Sequence, residues 1–461
     1  MKTFVILISL LLLAGCKGIP TRGEKEARRQ VQAVAGSYRP EGRQPDLPVL
    51  TSQSSLSNFL AYALLNQPQV EAAYFDWRAS VERITTARSL PDPQITFQMD
   101  IRDVITSIMP GLMGTIPWPE KLHVGAQVAS AQSRAKHAAF ESAVLRSAYD
   151  VKRAYYQLYF LKEKIRVNRE TLGLLSELEK LALAQNEVGK VTLQDVLRAQ
   201  IEQDRLRTVI ANLEDSRHSL MAQFKAALGL KAEDPAPPLP QHFESTSLDL
   251  TPEQLLETAL ARNQRLKAME ADVRAAEASI LLARKNQFPD FSLGLRADVK
   301  VNPTLYRPLG TVSLPIWRDK IAAQIAEAQA NQRSSEARLS AEEIALAADF
   351  AERAFLYREA TRNLALLNDL LLPKARQSLE VARSGYLAGR LDFFNLTDTE
   401  RTLLGFELDK VEAATRREVV LAELSLIIQG MSPVGGSTSA GAAPMGRATS
   451  SAMNTMKPSG M

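Results

Sequence analysis

The sequence predicts a mainly α-helical chain that also contributes strands to a membrane β-barrel. Three observations carry that prediction. First, a stop-and-restart motif, Asn186-Glu-Val-Gly189-Lys-Val-Thr192-Leu-Gln-Asp195, recurs as Tyr386-Leu-Ala-Gly389-Arg390-Leu-Asp392-Phe-Phe-Asn395, 200 residues later. Each copy ends a long Ala-rich run at a glycine and restarts with a capping residue, so each reads as the tip of a helical hairpin. Second, two short stretches switch from helical spacing to strict alternation of apolar and polar residues. Third, no apolar run beyond the N-terminus approaches the 18 or more residues of a membrane helix, so any membrane crossing must be made by strands.

Taken in order, Lys2 and the apolar run Phe4 to Leu13 have the form of an export signal over 1–15. The run closes on Leu13-Ala14-Gly15-Cys16, which resembles a bacterial lipobox, in which cleavage leaves the cysteine as a lipid-modified first residue. The alternative is an ordinary signal peptide with an incidental cysteine. Cys16 is the only cysteine of the chain, so no intrachain disulfide can form. Lys17 stands where an aspartate would mark retention at the inner membrane, which favours the outer membrane. Residues 16–53 are polar, with scattered Pro and Arg, and read as an extended, lipid-anchored arm.

Residues 54–230 and 251–430 then follow one plan, separated by a Pro-rich linker over 231–250 and followed by a Gly-, Ser- and Met-rich low-complexity tail over 431–461. Ala63, Asp76, Arg88 and Pro93 reappear as Ala259, Asp272, Arg284 and Pro289, each 196 residues on, which marks a tandem duplication. Each half predicts a helical region (Ser54 to Leu90; about 252–287), a strand pair, a very long helix (122–185; about 319–384) and a third helix (Thr192 to Leu228; about 391–429). A helix of about 62 residues is roughly 93 Å long, so one long helix should lie against two shorter coaxial ones that meet it at the glycine tip.

The strands are expected over about 94–103 and 112–118, and about 291–302 and 309–316. Ile95, Phe97, Met99 and Ile101 alternate with Thr96, Gln98 and Asp100, and Phe291, Leu293 and Leu295 with Ser292, Gly294 and Arg296. This is the pattern of transmembrane barrel strands, although a small soluble β-subdomain shares it. Four strands cannot close a barrel, and open edges are not tolerated in hydrocarbon, so several chains must pool them; three would supply twelve.

In order and spacing, the duplicated unit, the two strand hairpins, the glycine tips and the motifs Val312-Ser-Leu-Pro315-Ile-Trp317-Arg-Asp-Lys320 and Ile116-Pro117-Trp118-Pro119-Glu120-Lys121 resemble the TolC-like outer-membrane efflux proteins over roughly 54–430. The resemblance implies a homotrimer: a twelve-stranded barrel in outer-membrane lipid, continued by a twelve-helix periplasmic tunnel. It further implies docking to a periplasmic adaptor (membrane fusion protein) and an inner-membrane efflux pump, for export of drugs or metal cations. Asn395 and Asp398 match positions where the family rings its constriction with acids; Asn395 departs from that pattern. Tyr386 and Asp195 match a latch between tip helices, with Arg390 one residue from a second latch position. Gly189, Val191, Gly389 and Leu391 would meet the adaptor. For Asp398 a solvated helical carboxylate, for Asn395 and Asp195 a helix cap, and for the four tip residues turn packing stand as the alternatives.

Other classes are disfavoured. The net charge of +4 comes without a basic patch for nucleic acid, and the four histidines are scattered without metal-ligand spacing, a partnered nucleophile or a phosphate loop. No enzyme, cofactor or metal site is expected, and the irregular methionines of the tail are a weak soft-metal signal. A non-conducting periplasmic coiled-coil lipoprotein, acting as a tether, is the remaining alternative, although it would need no amphipathic strands.

Overall fold

The computed structural model describes residues 19–101, 105–239 and 252–429. Cys16, most of the Pro-rich linker and the tail lie outside them. Among the described residues, no helix is long and apolar enough to cross a membrane.

Helix α1 (Arg22–Tyr38) replaces the extended arm expected after Cys16. Its many charged residues hid it, although Ala27, Val31, Val34 and Tyr38 form a narrow apolar stripe packed on Tyr74 and Trp77, to which buried charge adds. Thr21 caps it by accepting from the Glu24 amide at 3.2 Å. The completely buried Glu24 carboxylate then takes hydrogen bonds from Arg88, Thr85 and Arg28. At the other end Arg39, also buried, donates to the Leu65 carbonyl at 3.1 Å and lies over the Tyr38 ring.

Helices α2 (Leu56–Asn66) and α3 (Pro68–Arg88) divide at Pro68, whose missing N–H costs nothing at the first helical position. Strands β1 (Gln94–Ile101) and β2 (Ile105–Ile116) form the first hairpin. Helix α4 (Pro119–Glu187) is a continuous rod of 69 residues, roughly 104 Å at the usual rise. Helix α5 (Leu193–Ala227) returns along it, so α4 packs against α3 and α5 in succession. Where α5 ends, at Gly229 (φ 73°), Asn66 Nδ2 donates to the Leu228 and Gly229 carbonyls and Gln67 Nε2 to those of Ala226 and Ala227. The carbonyls that a helix end leaves open are thereby satisfied by the α2–α3 junction.

The second half repeats the order with α6 (Pro252–Arg262), α7 (Gln264–Lys285), β3 (Asp290–Asp298), β4 (Leu305–Ser313), α8 (Arg318–Leu366), α9 (Leu372–Leu387) and α10 (Phe393–Gln429). Asn263 Nδ2 on the Ile427 carbonyl, at 2.8 Å, closes the end of α10 in the same way. The long second rod departs from expectation between α8 and α9, where residues 367–371 form a π turn. Pro373 supplies the reason: it cannot donate to the carbonyl four residues back, and the wider turn accommodates its ring.

The four strands form one antiparallel sheet in the order β1-β2-β3-β4, with β2–β3 pairing joining the two halves. They are shifted from the expected bounds, β2 beginning seven residues early and β3 and β4 ending earlier. The register puts Ile95, Phe97, Leu112, Leu293, Leu295 and Val312 on one face and Thr96, Gln98, Ser107, Thr115, Ser292, Arg296 and Arg307 on the other. The apolar face is bare, with Ile95 86% and Leu293 62% exposed. The buried core runs instead along the rods, in separate clusters: Trp77, Tyr74 and Phe140 near α1; Phe59, Tyr155 and Phe224 at the α5 end; and Leu178, Val196, Tyr386 and Phe393 at the tips. Each such fully buried aromatic or aliphatic side chain contributes about 1.5–3 kcal/mol.

Candidate functional site at the hairpin tips and sheet

Both tips are built alike. At the first, the Lys190 amide reaches back to the Gln185 carbonyl at 2.9 Å and the Gly189 amide to that of Asn186 at 2.9 Å; at the second, Arg390 reaches Gly385 at 2.8 Å and Gly389 reaches Tyr386 at 3.0 Å. These are Schellman closures, and they require the left-handed backbone found at Gly189 (φ 71°) and Gly389 (φ 68°). The chain then re-enters a helix through a side-chain cap. Asp195 Oδ2 accepts from the Thr192 amide at 3.2 Å and from its hydroxyl at 3.0 Å, and Asp392 Oδ1 accepts from the Asn395 amide at 3.0 Å and side chain at 2.7 Å.

Both glycines are exposed at the apex, whereas Val191 and Leu391 are half-buried in the tip core. Leu391 lies on Gly385, where an added Cβ would stand 2.7 Å from its Cδ1. The exposed apolar groups here are others that sequence spacing did not single out: Val188, Leu193, Leu387 and Phe394. They are scattered on both sides of the two turns, so no periodicity announces them.

Tyr386 is buried against Phe393, their ring centroids 5.7 Å apart, and its hydroxyl has no hydrogen-bond partner. Burial and then the nearby Asp195 charge raise its pKa. The structure therefore brings Tyr386 and Asp195 close without bonding them. Arg390 is exposed, and among the described residues its side chain has no ion pair. Asn395 and Asp398 are exposed on α10, one turn apart, in a stripe continued by Thr402, whose hydroxyl donates to the Asp398 carbonyl at 2.9 Å.

The two hairpins are tied to one another by residues that no motif or spacing singles out. Arg401 on α10 pairs with Glu202 on α5, and Arg198 on α5 lies over the Phe394 ring, 5.6 Å from its centroid. Beside them Glu400 is buried between two cavities of about 180 and 230 Å³. Burial, then the charge of Glu407, push its pKa up to about 7 against the pull of Arg383. Among the described residues no three His, Cys, Asp or Glu side chains converge as a metal site.

The described chain thus joins a bare amphipathic sheet to paired helical rods. The outer membrane efflux protein family model matches residues 116–230 and 255–428, and the chain belongs to that family. Its sequence is 22% identical over 263 residues to the cobalt-zinc-cadmium resistance protein CzcC of Cupriavidus metallidurans, a match spanning 54% of this chain and 60% of that relative's length. Among solved structures the fold is similar to that of CusC (TM-score 0.72, 16% identity, 84% of this chain and 98% of that one). It is also similar to VceC of Vibrio cholerae (0.70, 15%, 81% and 96%) and to the open state of MtrE of Neisseria gonorrhoeae (0.69, 16%, 84% and 97%). The chain thus belongs to the outer membrane efflux protein family and shares the fold of solved outer-membrane channels.

Proposed function

We propose that three copies of this chain close a twelve-stranded barrel in the outer membrane, continued by a periplasmic tunnel of helical rods. Through it substrates pass from an inner-membrane pump and its periplasmic adaptor to the exterior. The observation that carries this reading is the sheet: β1 and β4 each have one unpaired edge, and one face is apolar and uncovered. In lipid an unpaired backbone group costs several kcal/mol, so the edges must meet those of other copies. The aromatic residues Tyr306 and Trp317, exposed near opposite ends of the last strand, suit the two membrane interfaces.

Helix α1 supports a lipid anchor at Cys16. Its N-terminal end is held at Arg88, six residues before β1, so the residues preceding Arg22 start near the base of the sheet. Asp398, with Asn395 beside it, is assigned to the tunnel neck, where three exposed carboxylates about one axis favour cations. Tyr386 and Asp195 form the latch only when the carboxylate turns from Thr192. The adaptor meets Gly189 and Gly389 at the apex together with Val188, Leu193, Leu387 and Phe394. The substrate class is divalent metal cations, on the strength of the CzcC relationship.

The test is reconstitution of the purified, lipidated protein. A heat-resistant trimer that conducts ions in planar bilayers, together with cobalt, zinc or cadmium sensitivity on deletion, is the expected result. A monomer without conductance would make the protein a tether; conductance with unchanged metal tolerance and new drug sensitivity would move the substrate class to organic compounds.

A further inference from the structure

The polar face of the sheet contains an arrangement that neither barrel closure nor the tip explains. Thr96, Gly111, Arg296 and Arg307 fall in one row across β1, β2, β3 and β4, so two arginines stand directly opposite each other on the same face. Like charges in that relation are destabilising unless something holds them. Arg307 is matched by Asp298, 3.7 Å away, a buried carboxylate that also accepts from Ser107 Oγ at 2.8 Å. Arg296 is not matched in this way. Its stem crosses Gly111, where an added Cβ would stand 2.6 Å from Arg296 Cγ and 2.9 Å from the Leu295 carbonyl oxygen. Its guanidinium donates to the neutral Gln98 side chain on β1, and its Nε is buried without a partner. Among the described residues no carboxylate is within ion-pair distance; Asp100, the acid nearest along β1, is linked only through Gln98 Nε2 at 3.5 Å. Lys300, just past β3, adds no acid.

We propose that Arg296 is a selectivity-determining residue of the barrel. The inference rests on the trimeric reading above, in which the polar face lines the lumen and a threefold axis makes three copies of each side chain. Three arginines without carboxylate partners, six residues or about 20 Å above the base of β3, then form a collar in the outer part of the duct that attracts anions and retards cations. Its sign is opposite to that of Asp398 at the far end. Gly111 is the residue that permits it, since any side chain there would displace the arginine stem, and Gln98 fixes the guanidinium without neutralising it. The collar hinders re-entry of external cations while the tunnel is open, and cation cargo crosses it more readily when accompanied by anions.

The experiment is the reversal potential of reconstituted channels in a KCl gradient. R296Q is expected to shift it toward the potassium equilibrium potential, R296K to retain the wild-type value, and D398N to shift it toward chloride. An R296Q channel with the wild-type reversal potential overturns the proposal. Should R296Q fail to assemble, D398N alone decides: with the tip charge removed the duct must prefer chloride, and a channel without that preference overturns the collar. Absence of conductance in the unaltered protein would instead remove the trimeric duct itself.

Discussion

Asp195 holds Thr192 and leaves the Tyr386 hydroxyl, buried beside it, without a hydrogen bond. Within one chain the carboxylate is therefore a helix cap, and the phenol contributes through its ring. Asp195→Ala should lower stability by about 1 kcal/mol, the usual cost of a lost cap. Tyr386→Phe should leave it unchanged or slightly raised, because an unpaired buried hydroxyl is removed. Denaturant melts of both variants followed by helical circular dichroism measure this; equal losses would mean that the pair is bonded.

Glu24 governs how firmly α1 is held. Burial by itself would raise its carboxyl pKa, but hydrogen bonds from Arg88, Thr85 and Arg28 outweigh that and hold it at about 2, below the ordinary 4.5. A depressed carboxyl stabilises the fold above its unfolded value, and that contribution disappears as pH falls from 4.5 toward 2. Glu24→Gln should therefore cost about 2 to 3 kcal/mol at pH 7 and nothing near pH 2. Proteolysis between α1 and α2, followed across that range, provides the readout.

Glu400 has the opposite dependence. With its pKa raised to about 7, ionisation opposes the folded arrangement, so stability is greatest below 4.5, declines as pH rises to 7 and is level above. Glu400→Gln should stabilise the tips by up to about 3 kcal/mol at pH 8 with no gain at pH 4. Hydrogen exchange at α9 and α10 would register the difference, and a gain independent of pH would contradict it.

Gly111 and Gly294 sit where β2 meets β3, the only pairing between the two halves of the sheet among the described residues. A Cβ at Gly294 would stand 2.8 Å from the Leu112 carbonyl oxygen, and one at Gly111 would meet Leu295 in the same way. Backbone cannot yield as a side-chain end does. Gly111→Val should abolish heat-resistant trimers on gels, whereas Gly114→Val, at a position with open space, should not.

Adaptor docking should depend more on Leu387 and Phe394 than on Leu391. The former are exposed and the latter is half-buried against Gly385. Leu387→Ser with Phe394→Ser should reduce adaptor cross-linking several-fold without lowering trimer yield; Leu391→Ser should instead destabilise the tip.

Much of the fold was legible because its signals are local. Gly189 and Gly389 mark helix ends, Thr192 and Asp392 mark restarts, and Ile95 to Ile101 alternates over enough residues to fix a face. Helix α1 was not legible, since its anchoring acid, Glu24, meets Arg88 and Thr85 more than sixty residues away. Nor was the linkage between tips: Glu202 and Arg401 look like any charges on a solvated helix face until α5 and α10 are set side by side. The family resemblance supplied the neck and latch positions, and of the two readings the sequence left open for Asp195 the structure shows the cap, its carboxylate turned to its own Thr192.

The π turn at 367–371 has no counterpart in α4, whose backbone pattern runs unbroken from Pro119 to Glu187. The ancestral halves have consequently become mechanically unlike: one shaft is a stiff strut, the other carries a joint about sixteen residues from its apex. Flexure of an assembled molecule would concentrate in the jointed member, and Asp398, borne by the helix beyond it, would travel while the unjointed shaft stays still.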